Sequence, residues 1–205
     1  MELILLAALT GYLLGSIPTA FILVRWRSRI DLRAAGSGNV GALNSFEVTR
    51  SRAVGVSVLV LDLLKGVLAV YAVRSFGGEW PLTGMISALS AVLGHNYPFW
   101  LKFKGGRGLA TAAGAALVLL WGFVPLWCLM WALAYAMLRS VNPASAVASI
   151  VSPVVVFLWP GVLPGILDPR AAPWFIVLLM ILILSRLIGP VREFILEQRA
   201  QRRDV

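Results

Sequence analysis

The feature that most constrains the fold of this chain is a series of about seven apolar runs, which short polar or basic segments separate. The runs are Leu3–Val24, Val54–Val73, Leu82–Leu93, Leu109–Leu120, Pro125–Leu138, Ala144–Trp159 and Ala172–Ile188. A helix that crosses a bilayer needs about 20 mostly apolar residues, and shorter runs can cross where helices tilt or the bilayer thins. The sequence therefore predicts an all-α integral membrane protein with about seven transmembrane helices, built as a single domain over residues 1–205.

The composition excludes several other classes of protein. Hydrophobic residues make up 60% of the chain and charged residues only 13%, whereas soluble domains carry about 25% charged residues. The net charge of +9 would also fit nucleic-acid binding. Because the basic residues fall between the apolar runs, we expect no nucleic-acid partner. With one histidine and one cysteine in the chain, we expect neither a zinc site nor another metal site.

The distribution of basic residues predicts the orientation in the bilayer. If the N-terminus lies outside, nearly all of the 18 lysines and arginines fall in cytoplasmic segments. The exceptions are Arg74 and Arg170, which lie outside, and Lys65, which lies within a run. Cytoplasmic loops are enriched in basic residues. We therefore expect the N-terminus outside, the C-terminus in the cytoplasm and an odd number of spans.

The first cytoplasmic loop is rich in glycine and hydrogen-bonding side chains. Glycine backbones can take positive φ, which lets several N–H groups converge on one anion, and serine and asparagine add further donors. The composition fits either a phosphate-binding loop or a flexible connector made of turn formers. The candidate residues, with the flanking arginines, are Gly36, Ser37, Gly38, Asn39, Gly41, Asn44, Arg50 and Arg52.

The second candidate loop precedes the fourth apolar run. Residues 104–108 read Lys-Gly-Gly-Arg-Gly, so two cations and exposed backbone amides meet a helix N-terminus, and each of these favours an anion. The spacing is not that of a Walker A loop. Lys102 fits a basic residue that only sets topology, whereas we favour ligand contact for Lys104 and Arg107 because glycines surround them.

Ionisable residues at or within the runs leave two alternatives open. Asp62 and Lys65 are three residues apart and share one helix face. Such residues inside a span are usually paired, which favours a structural ion pair over a role for Lys65 in an anion site. His95, at the inner end of the third run, fits either a general base or a structural histidine.

These motifs resemble those of the bacterial acyl-phosphate-dependent glycerol-3-phosphate acyltransferases, small seven-helix enzymes of the inner membrane. The matching segments are 15–18, 36–44, 62–66 and 94–111, with the long last segment the most specific. The resemblance implies acyl transfer from acyl phosphate to the 1-hydroxyl of glycerol 3-phosphate, the first step of phospholipid synthesis. It implies no cofactor, a lipid environment, an active site facing the cytoplasm and, as an open expectation, a monomer.

The resemblance also implies roles for individual residues. Ser37, Asn39 and Asn44, with nearby N–H groups, would hold a phosphate or the developing oxyanion. Lys104 and Arg107, beside Gly105 and Gly106, would clamp a phosphate. Either the substrate's own phosphate or His95 would take the hydroxyl proton, and apolar helix faces would bind the acyl chain. The positions that follow Arg139 and stand in place of a serine pair of the family are Asn142 and Ser145.

Departures from the family pattern keep two other hypotheses open. Glu47 stands where the family has arginine, and residues 186–190 read Arg-Leu-Ile-Gly-Pro, without the family's histidine and asparagine. A divergent homologue that acylates another polyol phosphate, or has weak activity, would explain these changes. An anion carrier or accessory membrane protein is the third hypothesis, although a carrier should show an internal repeat, and none is visible.

Overall fold

The computed structural model describes residues 1–76, 80–159 and 163–201, and α-helices hold most of them. The helices are α1 (Glu2–Ser16), α2 (Thr19–Ser28), α3 (Ala42–Thr49), α4 (Arg52–Ala72), α5 (Trp80–Asn96), α6 (Leu109–Leu119), α7 (Phe123–Leu138), α8 (Val141–Leu158), α9 (Ala172–Leu184) and α10 (Ile188–Gln201). No strand occurs in these three segments, so the predicted all-α class is confirmed. The end of the predicted cytoplasmic tail, 202–205, lies outside the described residues.

Each predicted apolar run coincides with a helix or a helix pair, but the helices differ in length. Three stretches, Glu2–Ser28, Arg52–Phe76 and Val141–Leu158, are long and apolar enough to cross a bilayer alone. The pair α9 and α10, bent by 59°, would be a fourth if it forms one span, and α6 and α7 are shorter apolar helices. By length and composition, the described residues thus contain three to four clear spans.

The first run is broken between α1 and α2. Proline cannot donate a backbone hydrogen bond, and its ring clashes with the preceding turn, so the helix stops before Pro18. The break leaves the carbonyl oxygen of Ile17 without a helical partner, and the amine of Lys65 on α4 donates to it at 2.9 Å. The interruption therefore holds a charged side chain inside the helix bundle.

Small residues let the helices that carry the site pack closely. Gly11 and Gly15 of α1 lie directly against the backbone of α5, and a Cβ at either glycine would overlap with that backbone. Gly66 of α4 and Gly114 of α6 allow the same close approach between those helices. Small residues at helix interfaces are typical of membrane bundles, where helices associate by direct packing.

A small apolar cluster supports the first candidate loop. Val24 of α2 and Val58 of α4 are fully buried against Leu32, and Val40 and Leu101 join them. This cluster anchors residues 32 and 40 at the two ends of the glycine-rich segment. Many other large apolar side chains are exposed on the outer surface of the bundle, for example Leu129 and Ile181, each 54% exposed, as expected for a surface that faces lipid.

Candidate active site

Asn44 organises the first loop from inside. Its Oδ1 accepts the N–H of Ser37 at 3.0 Å, and its Nδ2 donates to the carbonyl oxygens of Asn39 at 2.8 Å and Ala35 at 3.1 Å. Asn44 is 1% exposed. The sequence predicted Asn44 as a substrate ligand, but its amide is engaged by the loop backbone, and we assign it a positioning role.

The backbone of this loop needs glycine at two positions. Gly36 and Gly38 have φ of 58° and 69°, in the left-handed region that glycine adopts most readily. A Cβ at Gly36 would also overlap with the amide oxygen of Asn44. Ser37, between the two glycines, is exposed. Gly41 caps α3 without a side-chain hydrogen bond, so backbone N–H groups of the first turn are left for water or a ligand.

The second loop folds back on the end of α5. The N–H of Gly105 donates to the carbonyl of Asn96 at 3.2 Å, and the N–H of Gly106 donates to the carbonyl of His95 at 3.1 Å. A Cβ at Gly106 would overlap with the imidazole Nε2 of His95 and lie 2.7 Å from the carbonyl oxygen of Val40. Gly106 is thus the point where the second loop touches the first.

A buried polar cluster lies beneath the meeting point of the loops. Nζ of Lys65 lies 2.9 Å from Oδ1 of Asp62, which also accepts a short hydrogen bond from the hydroxyl of Thr19. Nδ1 of His95 lies 3.2 Å from Oγ1 of Thr111 and 3.7 Å from Oδ1 of Asp62. The cluster joins α2, α4, α5 and α6, and its charges are paired, as buried charges in a bilayer require.

A small cleft opens between this cluster and the two loops. Its walls are the α1–α2 break, Val40 of the first loop, Gly105 of the second loop and the side chains of Lys65 and His95. Lys65 and His95 therefore line a space that both glycine-rich loops border, with a volume of about 10 Å³. Neither Asp62 nor Thr111 is among the described residues that line it, so these two support the cleft from behind.

The cations around the cleft differ in how they are engaged. Lys104 is exposed, and the described residues provide no hydrogen bond or ion pair to its amine. Arg107 is half-buried. Its burial and, to a lesser extent, the charge of Arg186 lower the pKa of its guanidinium. The negative charges of Glu47 and Glu193 offset part of this lowering. An arginine stays charged in proteins, so neighbouring guanidinium groups favour an anion between them.

The arginines near the first loop are engaged differently. Arg33 pairs with Asp31 at 2.6 Å, and the side-chain hydrogen bond from Arg33 lowers the pKa of that carboxyl to about 2. Arg50 and Arg52 are exposed at the junction of α3 and α4. Arg33 is thus neutralised locally, while the predicted ligands Arg50 and Arg52 lie at the surface and are not among the residues that line the cleft.

Arg186, just after α9, is a site residue that the sequence analysis did not identify. Its Nε donates to the carbonyl of Gly106 at 3.1 Å and its Nη2 to the carbonyl of Gly105 at 3.0 Å. Its guanidinium also lies above the ring of Tyr97, 5.3 Å from the ring centroid. Since a peptide N–H points opposite to its C=O, this contact turns the N–H of Arg107 away from Arg186. The signal in the sequence was an arginine at the inner end of the last apolar run.

Asn142 and Ser145, predicted to bind substrate, are not among the described residues that line the cleft. The hydroxyl of Ser145 donates to the carbonyl of Val141 at 2.8 Å and accepts from Nε1 of Trp131 at 3.2 Å. Ser145 is 1% exposed, so its hydroxyl serves the packing of α7 on α8. The amide oxygen of Asn142 is buried and has no hydrogen-bond partner among the described residues.

An apolar groove begins beside the second loop. Leu109, the first residue of α6, lines it, followed by alanines of α6 at positions 110, 112, 113 and 116. Phe123 and Trp127 of α7 and Ile183 of α9 form other walls, and the cavity volume is about 210 Å³. The groove presents almost only apolar atoms, so it suits a hydrocarbon chain.

Comparison with known proteins gives a consistent result. The family model described as glycerol-3-phosphate acyltransferase matches residues 5–195. The glycerol-3-phosphate acyltransferase of Rhodopseudomonas palustris (strain HaA2) is 42% identical over 153 residues, which are 75% of this chain and 75% of that protein.

The fold is also similar to solved structures. The crystal structure of PlsY (YgiH), an integral membrane glycerol 3-phosphate acyltransferase, in its glycerol 3-phosphate form has a TM-score of 0.79 and 31% sequence identity. The match covers 95% of this chain and 92% of that one. The lysophosphatidic acid form of that protein gives a TM-score of 0.78 and 30% identity, with the same coverage.

Proposed function

The chain belongs to the glycerol-3-phosphate acyltransferase family, and from this premise we propose that it transfers a fatty acyl group from acyl phosphate to the 1-hydroxyl of glycerol 3-phosphate. It is a multi-pass membrane acyltransferase of lipid biosynthesis, and the family resemblance and the enzyme class predicted from the sequence are confirmed. The products of the proposed reaction are lysophosphatidic acid and inorganic phosphate.

The observation that carries this proposal is the meeting of two glycine-rich loops over a cleft that Lys65 and His95 line. The free amine of Lys104 and the neighbouring guanidinium groups of Arg107 and Arg186 add positive charge beside it. The N-terminus of α6 has no side-chain cap, so its first N–H groups are also free to donate. Both proposed substrates carry phosphate, which such a set of donors and cations would bind.

The chemistry needs little beyond positioning and charge stabilisation. The 1-hydroxyl oxygen attacks the carbonyl carbon of acyl phosphate, and the carbon–oxygen bond to phosphate breaks with its electron pair leaving on phosphate. The hydroxyl proton passes to the phosphate of glycerol 3-phosphate or to His95. Because the donor is already activated, no acyl-enzyme is required. Backbone N–H groups and the cations Lys104 and Arg107 would stabilise the negative charge that develops on the carbonyl oxygen.

We place the acyl chain in the apolar groove that starts at Leu109. Leu109 follows the second loop directly, so a chain lying in the groove would bring its activated end to Lys104 and Arg107. The chain enters from lipid rather than from water, so the groove gains little from the hydrophobic effect. Its contribution is orientation, which holds the reactive carbonyl beside the acceptor.

We also propose seven crossings of the inner membrane, with the N-terminus outside and the active site facing the cytoplasm. The charge distribution described above supports this orientation. At 1.5 Å per residue, α6 is only about 16 Å long, shorter than the hydrocarbon core of about 30 Å. A crossing by α6 therefore requires local thinning of the bilayer or a loop that dips into it.

The test is phosphate release by purified protein in lipid, given palmitoyl phosphate and glycerol 3-phosphate. We expect release that depends on glycerol 3-phosphate, falls strongly in Lys104→Ala and persists in Lys102→Ala, an exposed lysine two residues away. A parallel reaction with acyl-coenzyme A tests the donor. Folded protein that releases no phosphate above a protein-free control would contradict the proposal.

One observation favours a second candidate, acylation of another polyol phosphate. The negative charge of Glu47 on α3 offsets part of the lowering of the pKa of Arg107, so a carboxylate stands near the proposed phosphate site. A carboxylate repels phosphate but can accept hydrogen bonds from additional hydroxyl groups. Competition between glycerol 3-phosphate and longer polyol phosphates, in the wild type and in Glu47→Gln, distinguishes the two acceptors.

A further inference from the structure

Two tryptophans of α7 are tied to two serines of α8 by matching hydrogen bonds. Nε1 of Trp127 donates to Oγ of Ser149 at 3.2 Å, and Nε1 of Trp131 donates to Oγ of Ser145 at 3.2 Å. Ser145 and Ser149 are each 1% exposed. The pairs repeat at a spacing of four residues on both helices, so two hydrogen bonds join the same face of α7 to α8. Only Trp127 of the two tryptophans also lines the apolar groove.

Trp127 lies toward the end of the groove that is far from the second loop. α6 runs away from that loop between Leu109 and Leu119, and the chain turns back at 120–122 into α7. The first two turns of α7, which contain Phe123 and Trp127, therefore lie beside the distal half of α6. Beyond Leu109, the wall along α6 is made of alanines, whereas the wall from the first turns of α7 carries two aromatic rings, Phe123 and Trp127. A chain that lies along the alanines therefore has aromatic rings beside the distal half of α6.

We propose that Trp127 limits the length of the acyl chain that the enzyme accepts, and that Ser149 is the positioning residue that holds its indole ring in place. This inference rests on the proposed function, because it takes the groove as the acyl site. A chain whose carbonyl lies beside Lys104 would extend along the alanines and meet the indole ring with its last carbons. Chains beyond that length would have to displace the ring.

The hydrogen bond gives the ring its fixed position. In a bilayer no water is available to an indole N–H, so an unpaired donor there is costly. Any rotation of Trp127 that opens the groove would break its bond to Ser149 and leave the N–H unpaired. Removing the hydroxyl of Ser149 removes the acceptor that favours this one position of the ring, and it changes no residue that lines the groove. The ring should then move aside more readily for a longer chain.

The test compares kcat/KM for acyl phosphates of 12, 14, 16 and 18 carbons at saturating glycerol 3-phosphate. For Ser149→Ala and Trp127→Phe we expect the ratio of the longest to the shortest chain to rise at least threefold over the wild type. Trp131→Phe is the matched control, since it removes the same N–H one turn away but does not line the groove. Its profile should equal that of the wild type. Unchanged profiles in both Ser149→Ala and Trp127→Phe would overturn the proposal.

A second readout separates this inference from the proposed function. Cys128, the only cysteine of the chain, is exposed and lines the groove beside Trp127. Alkyl phosphonates of the same chain lengths should protect it from a membrane-permeant maleimide, with longer chains gaining protection in Ser149→Ala. If the wild type turns over no acyl phosphate yet shows this length-dependent protection, the donor assignment fails and the groove inference stands. If turnover is normal but every chain length protects wild type and Ser149→Ala equally, the inference fails alone.

Discussion

Replacing Arg186 by alanine should weaken substrate binding although this residue is outside the predicted motifs. Arg186 donates to the carbonyls of Gly105 and Gly106 at 3.0 and 3.1 Å. Hydrogen bonds from a charged donor contribute about 1.5–3 kcal/mol each. Because Arg186 is only half-buried, water can replace part of these bonds, and we take about 2 kcal/mol for the pair together. If this free energy holds the second loop in its binding conformation, kcat/KM should fall roughly 30-fold.

The assay is steady-state release of phosphate at varied concentrations of each substrate. We expect KM for glycerol 3-phosphate to rise more than kcat falls, because the loop would still reach its bound conformation at saturating substrate. Arg186→Lys should be intermediate, since one ammonium group cannot reproduce the planar fork that serves two carbonyls. Added guanidinium ion should partly restore Arg186→Ala.

Arg192→Ala is the control for this prediction, because Arg192 is exposed on α10 and outside the site. Wild-type values of kcat and KM in Arg186→Ala would refute the reasoning, and so would equal losses in the two variants. A large drop in the melting temperature of Arg186→Ala without a change in KM would show that the contact supports the fold rather than the loop.

Three further predictions follow from the packing of the site. Gly106→Ala should lose more than about 100-fold in activity, because a Cβ there overlaps an imidazole nitrogen and the backbone of the first loop. Gly189→Ala is the control and should retain activity, because Gly189 has open space around it. Asn44→Ala should lower the melting temperature and raise KM together, since it removes hydrogen bonds that shape the first loop, and a change in neither would contradict its positioning role. Asp62→Asn should destabilise the fold by about 3–5 kcal/mol, because it leaves Lys65 buried without its counter-charge. The double variant Asp62→Asn with Lys65→Met should recover part of this stability, as measured by thermal unfolding.

The helices could be predicted because the signal for them is local. A run of apolar residues forms a helix in lipid whatever its neighbours are, since every backbone group must be satisfied within the segment. For this reason each predicted run coincides with a helix or a helix pair. The break inside the first run was not predicted, although Pro18 was visible. Its consequence, a carbonyl outside the helical hydrogen-bond pattern that accepts from Lys65, depends on a residue 48 positions away along the chain.

The candidate site could be predicted in part for the same reason. Glycines, a serine and cations close together in the sequence indicate an anion site without further context, and the two loops do border one cleft. The engagement of Asn44 within the loop and of Ser145 with Trp131 could not be predicted. Whether a polar side chain faces a ligand or the protein depends on which donors and acceptors surround it after folding.

The amino-acid sequence by itself determined the membrane class and the positions of the helices, and it supplied the candidate residues for phosphate binding. Hydrophobicity, turn chemistry and charge act over a few residues, so the order of amino acids is enough to read them. Only the tertiary structure decided that Gly106 joins the two loops, that Arg186 holds the second loop from the far end of the chain, and that Trp127 lines the groove. These contacts arise when distant segments pack together, and their strength depends on distances and burial that no local pattern contains.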